Sequence, residues 1–471
     1  MRTRTARMRG HSTVAAPTVL RTTSAVLAII LAETPWTWDV RRPPATLDRA
    51  GDASIARARA TNVHQDRHVT RGTGLSRYRD TVSLPGAAAF SITGAVGRLA
   101  QAMVGLGALL LLTGLGRSYA LAGLVAGAAA LSQGLGSPWL SRVADRVGQR
   151  FVLRPQLLVH TLALVALVVA AQRQAPGWVL LASGVLVGLS MPQFGAYSRA
   201  RWTFLLTGDD RILTALSIES LVDEAVFVVG PVLTALLVTT VAPAAGLLAA
   251  AGIVLVSGLV YVSLHSTEPP VSQRLPQHRG PSASRSSGLR VIVGVFLAIG
   301  AMFGFIEVGV VALTREYGHA GAAGLMLGLW ATGSLISGTV YGSIQWRSDA
   351  SRRFQIGAAA MAVGCLLIAV SSSGLTLVTI SLVIAGLANA PTLITGNTLA
   401  SAVVPHDAIT EAYTWLSVAV FAGIAVGSPI GGLLIDRLGA SCSLMASIGA
   451  GTLAAVLATA CNRFLSQVEP P

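Results

Sequence analysis

The chain has 471 residues, of which 53% are hydrophobic and only 11% are charged, and its mean hydropathy is +0.66. A water-soluble domain normally carries about a quarter charged residues, so this composition argues against a soluble globular protein. The formal charge is +14, and every basic residue is an arginine. Basic loops beside membrane helices account for this charge without a nucleic-acid partner, and we expect none.

Residues 1–84 form a basic amino-terminal tail, and residues 1–80 lack helical or strand periodicity, so we expect the tail to be disordered. Its one apolar stretch imitates a signal peptide but is short and ends without a small-residue cleavage site. No methionine lies between Met8 and Met103, so a later start, for example at Val69, would need an alternative start codon. Amino-terminal sequencing of the native protein distinguishes the two starts.

From residue 85 onward, apolar runs recur that are long enough for the roughly 20 residues of a membrane-spanning helix. They predict twelve helices, at 87–112, 119–140, 152–171, 178–197, 213–238, 244–264, 291–313, 320–346, 354–373, 375–403, 410–434 and 443–460. A segment rich in Pro and Ser at 266–288 is typical of a flexible linker. We therefore predict an all-α integral membrane protein with six-helix bundles at 85–265 and 289–464, and a carboxy-terminal tail at 465–471.

The arginines beside the predicted helices are distributed unequally. Most lie in or beside the loops that follow the second, fourth, sixth and eighth helices, whereas the opposite loops hold Arg117, Arg173, Arg315 and Arg437. The positive-inside rule then places both termini and the central linker in the cytoplasm. We expect a multi-pass protein of a bacterial cytoplasmic membrane.

The two halves resemble copies of one another. Arg146 aligns with Arg347 at an offset of 201 residues, and Pro231 aligns with Pro429 at an offset of 198. Parallel six-helix repeats of this kind imply a substrate site between the halves, with access that alternates as the halves rock.

The segment that follows the second predicted helix carries a short charged motif, Asp145, Arg146, Gly148 and Arg150, with Ser141 where the pattern usually has glycine. The second half keeps Gly342 and Arg347 at the corresponding place, but has Trp346 where aspartate would stand. Together with the 6+6 helices and the basic linker, these residues resemble the major facilitator superfamily over residues 85–464. The resemblance implies a secondary transporter, and two segments, 84–98 and 219–231, look similar to efflux members.

The charged motif also permits a physical interpretation of its own. A carboxylate at a helix end, near arginines and a neighbouring helix terminus, can form a charge-assisted contact that favours one conformation. We hypothesise that Asp145, with Arg146 or Arg150, stabilises an outward-open state. The alternative is a solvated loop that simply obeys the positive-inside rule.

Charged side chains inside the predicted helices need a partner or a wet cavity, because a charge at the bilayer centre costs about 2.5–3.5 kcal/mol on insertion scales. The candidates are Arg98, Glu219, Asp223, Glu224 and Glu307. We expect Arg98 to pair with an acid of the fifth helix, first of all Asp223, and protonation of that carboxylate to drive movement. The alternatives are a static buried pair, or contact of Glu219 with arginines at the cytoplasmic rim. For Glu307, cation recognition and simple hydration both stay open.

Drug antiporters of this superfamily often carry an arginine in the fourth helix. The predicted fourth helix, 178–197, has none, which leaves Arg98 as the only basic candidate within a span. Candidates for helix flexing, or alternatively for plain helix packing, are Gly230, Pro231, Gly427 and Pro429. Polar and aromatic candidates for the cavity lining are Gln101, Gln133, Gln193, Trp330, Asn389, Asn397 and Trp415.

No nucleotide-binding loop, metal-ligand cluster or nucleophile motif is visible in the sequence, so we expect neither an ATP-driven pump nor an enzyme. The resemblance instead favours a monomeric, proton-coupled exporter of small amphipathic molecules that needs no cofactor other than the ion gradient. Two alternatives stay open. One is proton-coupled uptake of a small nutrient, and the other is a membrane receptor that binds a ligand without transporting it.

Overall fold

The computed structural model describes residues 74–271 and 283–460, except residues 345, 406 and 407. Most of the predicted amino-terminal tail, half of the linker and the carboxy-terminal tail lie outside these described residues. Within them, all regular secondary structure is helical. Twelve helical spans are long and apolar enough to cross a membrane, which confirms the predicted all-α, twelve-span fold.

The first half begins with a short helix and continues with six spans. Its helices are α1 (Gly74–Val82), α2 (Ala87–Gly114), α3 (Tyr119–Val147), α4 (Gln149–Gln172), α5 (Gly177–Leu189), α6 (Phe194–Leu205), α7 (Ile212–Thr240) and α8 (Ala245–Ser263). The pair α5 and α6 together makes the fourth span, Gly177–Leu205.

The second half repeats this order. Its helices are α9 (Ser287–Glu316), α10 (Ala322–Ser343), α11 (Ala350–Val370), α12 (Leu375–Gly386), α13 (Asn389–Ala402), α14 (Ile409–Leu438) and α15 (Ala440–Ala460). The pair α12 and α13 makes the tenth span, Leu375–Ala402, so each half has a broken fourth span. Short 3-10 turns at His265–Thr267 and Ala283–Arg285 flank the linker.

Helix α1 corrects the prediction that residues 1–80 lack regular structure. It packs against α7 and α2, and the guanidinium of Arg211 donates to the carbonyl oxygen of Asp80 at 3.5 Å. A nine-residue helix is too short to be stable alone in water. Tertiary contact therefore stabilises it, and a polar segment of nine residues is too short to be found by a search for apolar membrane spans.

Helix α3 is longer than the predicted second helix, because it continues past residue 140 to Val147. Asp145 and Arg146 therefore belong to the last turn of a helix and not to a loop. The helix ends at Gly148, whose φ of 97° glycine adopts without strain, and α4 begins at the next residue. The apolar run stops before the helix does, and for that reason the hydropathy pattern placed the boundary too early.

The fourth span is broken between Ser190 and Gln193, and side chains satisfy the carbonyl groups that the break releases. The Met191 carbonyl oxygen accepts bonds from the amide groups of Gln156 and Gln193, both at 2.9 Å. His160 Nδ1 lies 3.0 Å from the carbonyl oxygen of Val187. Backbone groups at membrane depth need such partners because no bulk water reaches them.

Beyond this break, α6 continues to Leu205, past the predicted end at residue 197. The prediction that Arg98 is the only basic residue within a span is therefore wrong, because Arg199 and Arg201 lie in α6. The prediction assumed one continuous run of about 20 apolar residues per span. It therefore ended the fourth span too early, because this span is broken and its second segment carries polar residues.

The two halves belong to one compact unit and meet along two helix pairs, α3 with α14 and α7 with α10. Glycine makes these contacts close. A Cβ atom placed on Gly123 would lie 2.3 Å from the carbonyl oxygen of Ser428, and one on Gly324 would lie 2.2 Å from that of Pro231. Both contacts lie toward the end of the molecule where α3 begins and α14 ends, which we call the closed end.

The four residues predicted to flex helices lie in tight packing. A Cβ placed on Gly230 would come within 2.6 Å of Ala102, and one on Gly427 within 2.2 Å of the carbonyl oxygen of Ala301. Pro429 lies against Gly123 across the two halves. These contacts are those of small residues at membrane helix interfaces, and a role in flexing stays a prediction.

Candidate functional site

The centre of the first half holds an ion-pair cluster built from α2, α6 and α7. Arg98 Nη2 lies 2.5 Å from Glu219 Oε2, and Arg98 Nη1 lies 2.7 Å from Asp223 Oδ1. The two acids stand one helical turn apart on α7 and so present both carboxylates to one guanidinium. The ion pair predicted between Arg98 and Asp223 is thus present, and Glu219 joins it.

Glu219 is the fixed member of this cluster. Its side chain is fully buried, and Oε1 accepts hydrogen bonds from Trp202 Nε1 at 2.8 Å and from Ser91 Oγ at 3.1 Å. Three donors from two helices, α2 and α6, therefore bind one carboxylate, and its full burial does not fit the solvated rim that we considered as an alternative. A buried charge with this many donors is held in one position.

Asp223 is the accessible member. Its second carboxylate oxygen contacts the guanidinium of Arg199, so that Asp223 bridges two arginines from two helices. The side chain of Asp223 is 33% exposed, against 4% for Arg98. Two arginines and two acids make the cluster neutral as a whole, and only its Asp223 and Arg199 side reaches solvent.

Arg201 forms a second buried centre that the sequence analysis missed. Its guanidinium donates to Gln149 Oε1 at 3.0 Å, to Thr267 Oγ1 at 2.9 Å and to the Leu264 carbonyl oxygen at 3.0 Å. It also stacks 4.0 Å from the centre of the Tyr261 ring. These bonds join α6 to α4 and α8. The signal in the sequence is the helical spacing of aromatic residues through 194–205, which continues the fourth span.

The charged motif after α3 has contacts other than those predicted. Asp145 and Arg146 are exposed, and among the described residues no ion pair joins Asp145 to either arginine. Arg150 instead pairs with Glu268, whose carboxylate also accepts the Arg150 backbone N–H at 3.1 Å. Glu268 therefore neutralises the amino-terminal end of α4. Among the described residues the ion pair of Asp145 with Arg146 or Arg150 is absent from this conformation, and its role in stabilising an outward-open state stays a prediction.

In the second half, the motif residues Gly342 and Arg347 are likewise exposed. Gly342 lies in the last turn of α10, and Arg347 follows that helix. In the same way, Asp145 and Arg146 lie in the last turn of α3, and Gly148 and Arg150 follow it. The two halves therefore place their motif residues at equivalent ends, opposite the closed end.

Glu224 and Glu307 lie on the boundary between the halves. Glu224 on α7 lies beside the Ser334 hydroxyl of α10. Glu307 on α9 faces α2, where a Cβ placed on Gly105 would lie 3.5 Å from its Oε1. Both side chains are half-buried, and in the described part of the chain neither forms an ion pair.

Three of the seven predicted cavity-lining residues are engaged elsewhere. Gln193 bonds within the break of the fourth span, Asn397 donates to its own helix at Leu393, and Trp415 donates to Glu411. The remaining candidates are buried or half-buried: Gln101, Gln133, Asn389 and Trp330. Of these, Trp330 has a buried indole Nε1 with no hydrogen-bond partner among the described residues.

This arrangement of two six-helix halves around a charged core agrees with a known family. The family model of the Major Facilitator Superfamily matches residues 90–312 and 291–470. The chain belongs to this superfamily. The family resemblance predicted from the charged motif is thereby confirmed. No curated protein sequence matches the chain.

Solved structures of several transporters share the fold. The nucleoside transporter NupG, as a D323A mutant, is 15% identical with a TM-score of 0.63, covering 80% of this chain and 99% of that one. A bacterial homologue of the iron transporter ferroportin, in an inward-facing state, is 15% identical with a TM-score of 0.60, covering 83% and 99%. The human organic anion transporter MFSD10 (TETRAN) is 18% identical with a TM-score of 0.57, covering 82% and 100%. The superfamily member is thus a multi-pass membrane protein with a transporter fold.

Proposed function

We propose that this superfamily member is a secondary active transporter that exports small amphipathic organic molecules in exchange for protons. The observation that carries the proposal is the position of Asp223, which bridges Arg98 and Arg199 and is the one carboxylate of the cluster that solvent reaches. A proton carrier must be accessible and must change the local charge balance when it is protonated.

Protonation of Asp223 releases both arginines from one carboxylate. Arg98 then keeps its bond to Glu219, whereas Arg199 on α6 loses its contact with α7. Protonation therefore removes the Arg199 contact between α6 and α7 and one of the two Arg98 contacts between α2 and α7. The bonds of Trp202 and Arg98 to Glu219 persist. Glu219 positions Arg98 in this scheme, and Asp223 carries the proton.

The halves are built to move against each other. Their contacts at the closed end rest on glycines that pack against backbone, as at Gly123 and Gly324, so few side chains must rearrange when they separate. The distribution of arginines supports both termini in the cytoplasm. The closed end then faces outward. The monomer suffices, because the cleft lies between two halves of one chain.

Export of amphipathic molecules is favoured over uptake of a sugar-like nutrient. A sugar site needs many free hydrogen-bonding groups, whereas Gln193, Asn397 and Trp415 are already bonded within the protein. The resemblance of two sequence segments to efflux members supports the same direction.

Everted membrane vesicles test the proposal with a panel of cationic, neutral and anionic fluorescent dyes, each measured with and without an imposed proton gradient. We expect gradient-driven accumulation of at least one dye by the natural chain and none by the Asp223→Asn variant. Asp210→Asn is the matched control, because Asp210 is an exposed acid in the loop before α7. Accumulation that is equally gradient-driven in Asp223→Asn would show that this residue does not carry the proton. Absence of gradient-driven movement for every dye would refute proton-coupled export.

A further inference from the structure

The boundary between the halves carries more negative than positive charge. Arg98 and Arg199 are matched by Glu219 and Asp223, so the central cluster is neutral. Two further acids on this boundary, Glu224 of α7 and Glu307 of α9, have no cationic partner among the described residues. Charged groups at membrane depth are costly without a counter-charge, so an unpaired acid here either takes up a proton or binds a cation from outside the chain.

Glu307 stands on the boundary between the halves, near the closed end. It lies nine residues before the end of α9, and Trp330 lies eight residues after the start of α10, so both are about 12–14 Å from the closed end. At a similar depth Gly127 of α3 packs against Ala425 of α14, where the halves still touch. The Glu307 carboxylate approaches Gly105 of the opposite half.

An aromatic pair accompanies this carboxylate. Phe303 lies one turn from Glu307 on the same face of α9, and its ring centre is 5.2 Å from that of Trp330 in an edge-to-face arrangement. The indole Nε1 of Trp330 is buried and has no partner in the described part of the chain. The two rings therefore place apolar and π surface within one helical turn of the carboxylate.

We propose that Glu307, Phe303 and Trp330 form a recognition site for an amphipathic organic cation, which is the substrate class of the exporter. This inference rests on the proposed function and deepens it. The carboxylate supplies the counter-charge, and the aromatic rings supply apolar surface and attract a cation through their faces. A proton alone would neutralise Glu307 but would make no use of the two rings.

Glu224 provides the internal comparison. It is also an unpaired acid on the boundary between the halves among the described residues, and its neighbour is the Ser334 hydroxyl, one turn from Trp330 on α10. Glu307 differs in that it stands one turn from Phe303 on its own helix. If net charge alone attracted the cation, loss of Glu224 and loss of Glu307 would weaken cation binding equally. The proposed site assigns the recognition to Glu307.

Direct binding to the purified full-length protein in lipid nanodiscs tests the site. The probes are tetraphenylphosphonium, a permanent aromatic cation, and triphenylphosphine oxide, a neutral compound of similar shape. We expect the natural chain to prefer the cation, and Glu307→Gln to weaken cation binding about tenfold or more without changing the binding of the oxide. Glu307→Asp should retain most of the affinity, and Glu224→Gln should weaken it less than about threefold.

The unchanged binding of the neutral oxide reports that a variant is folded. If Glu307→Gln fails to fold, Trp330→Leu replaces it, and we expect about tenfold weaker cation binding there because the ring face is lost. No preference for the cation in the natural chain would overturn the inference. So would full affinity in Glu307→Gln, or an equal loss in Glu224→Gln.

The two proposals fail separately. If vesicles accumulate an anionic dye under the proton gradient while the protein does not bind tetraphenylphosphonium, the cation site is wrong and proton-coupled export stands. If the cation binds through Glu307 while no dye moves with the gradient, export is wrong and the recognition site stands.

Discussion

The carboxylate of Asp436, near the end of α14, accepts hydrogen bonds from the backbone N–H groups of Tyr119 at 2.9 Å and of Ala120 at 2.8 Å, at the start of α3. One half of the molecule therefore caps a helix of the other half. The amino-terminal end of a helix carries about half a positive charge, so a carboxylate there is stabilising. This contact exists only while the closed end is closed.

Replacement of Asp436 by alanine should favour opening of the closed end. Loss of a helix cap costs about 0.5–2 kcal/mol, which shifts the balance between the two conformations by about 2- to 30-fold. A cysteine introduced at Val232, whose side chain packs against Gly328 of the opposite half, reports the shift in a background without Cys442 and Cys461. The readout is its rate of modification by a membrane-impermeant maleimide. Glu316→Gln is the matched control, because Glu316 caps α15 within its own half by accepting the Ala440 N–H at 2.8 Å. Equal labelling rates in the parent protein and in Asp436→Ala would contradict the prediction.

A single methyl group at Gly123 should prevent closure. Its Cβ would lie 2.3 Å from the Ser428 carbonyl oxygen, a distance that the backbone of α14 cannot accommodate without moving away. We expect Gly123→Ala to lose transport and to label rapidly at the closed end. Gly252→Ala is the control, since a Cβ at Gly252 meets nothing within 4 Å. A Gly123→Ala protein that still transports would show that the halves do not need this approach.

Substitution of Glu219 should mainly lower stability, whereas substitution of Asp223 should mainly abolish proton coupling. Glu219→Gln removes a fully buried charge with three donors and should lower the free energy of unfolding by about 3 kcal/mol. Asp223→Asn removes a partly exposed charge, so its effect on stability should be below about 1 kcal/mol while gradient-driven transport is lost. Thermal unfolding in detergent, followed beside the vesicle assay, measures both. A reversed order of stabilities would contradict this division of roles.

Arg201 and Arg199 make a second contrast on one helix. Arg201→Met leaves Gln149, Thr267 and a carbonyl group without their donor, and we expect a loss of about 2–4 kcal/mol in the free energy of unfolding. Arg199→Gln removes a half-exposed arginine and should spare stability but impair coupling. Purification yield and thermal unfolding decide between them. Comparable stability of the two variants would argue against a structural role for Arg201.

The membrane itself explains why so much of the fold follows from the sequence. Each span must contain about 20 apolar residues with its backbone bonded internally, so number and order of spans are readable from hydropathy. The pair of Arg98 and Asp223 is predictable for the same reason, because charges in apolar helices stand out and require partners.

Other features leave no such pattern. Helices α3 and α6 both extend past the apolar runs from which they were predicted. For α6, this is why hydropathy did not place Arg199 and Arg201 within a span. Asp436 binds backbone N–H groups, which every residue except proline carries, so no choice of residue at the start of α3 reveals the contact. Glu219 was named as a candidate, but its donors Ser91 and Trp202 come from distant segments that only the fold brings together.

Helix α2 carries both Arg98, in the central cluster, and Gly105, against which Glu307 lies, and these positions are two turns apart on one rigid element. A ligand at Glu307 and a proton at Asp223 would then bias the same helix. Thermodynamic linkage requires such influence to be reciprocal: occupancy of one site changes the affinity of the other by the same factor in either direction. Coupling between substrate binding and proton binding would thus follow from the shared helix α2, and no additional structural element would be needed to connect the two sites.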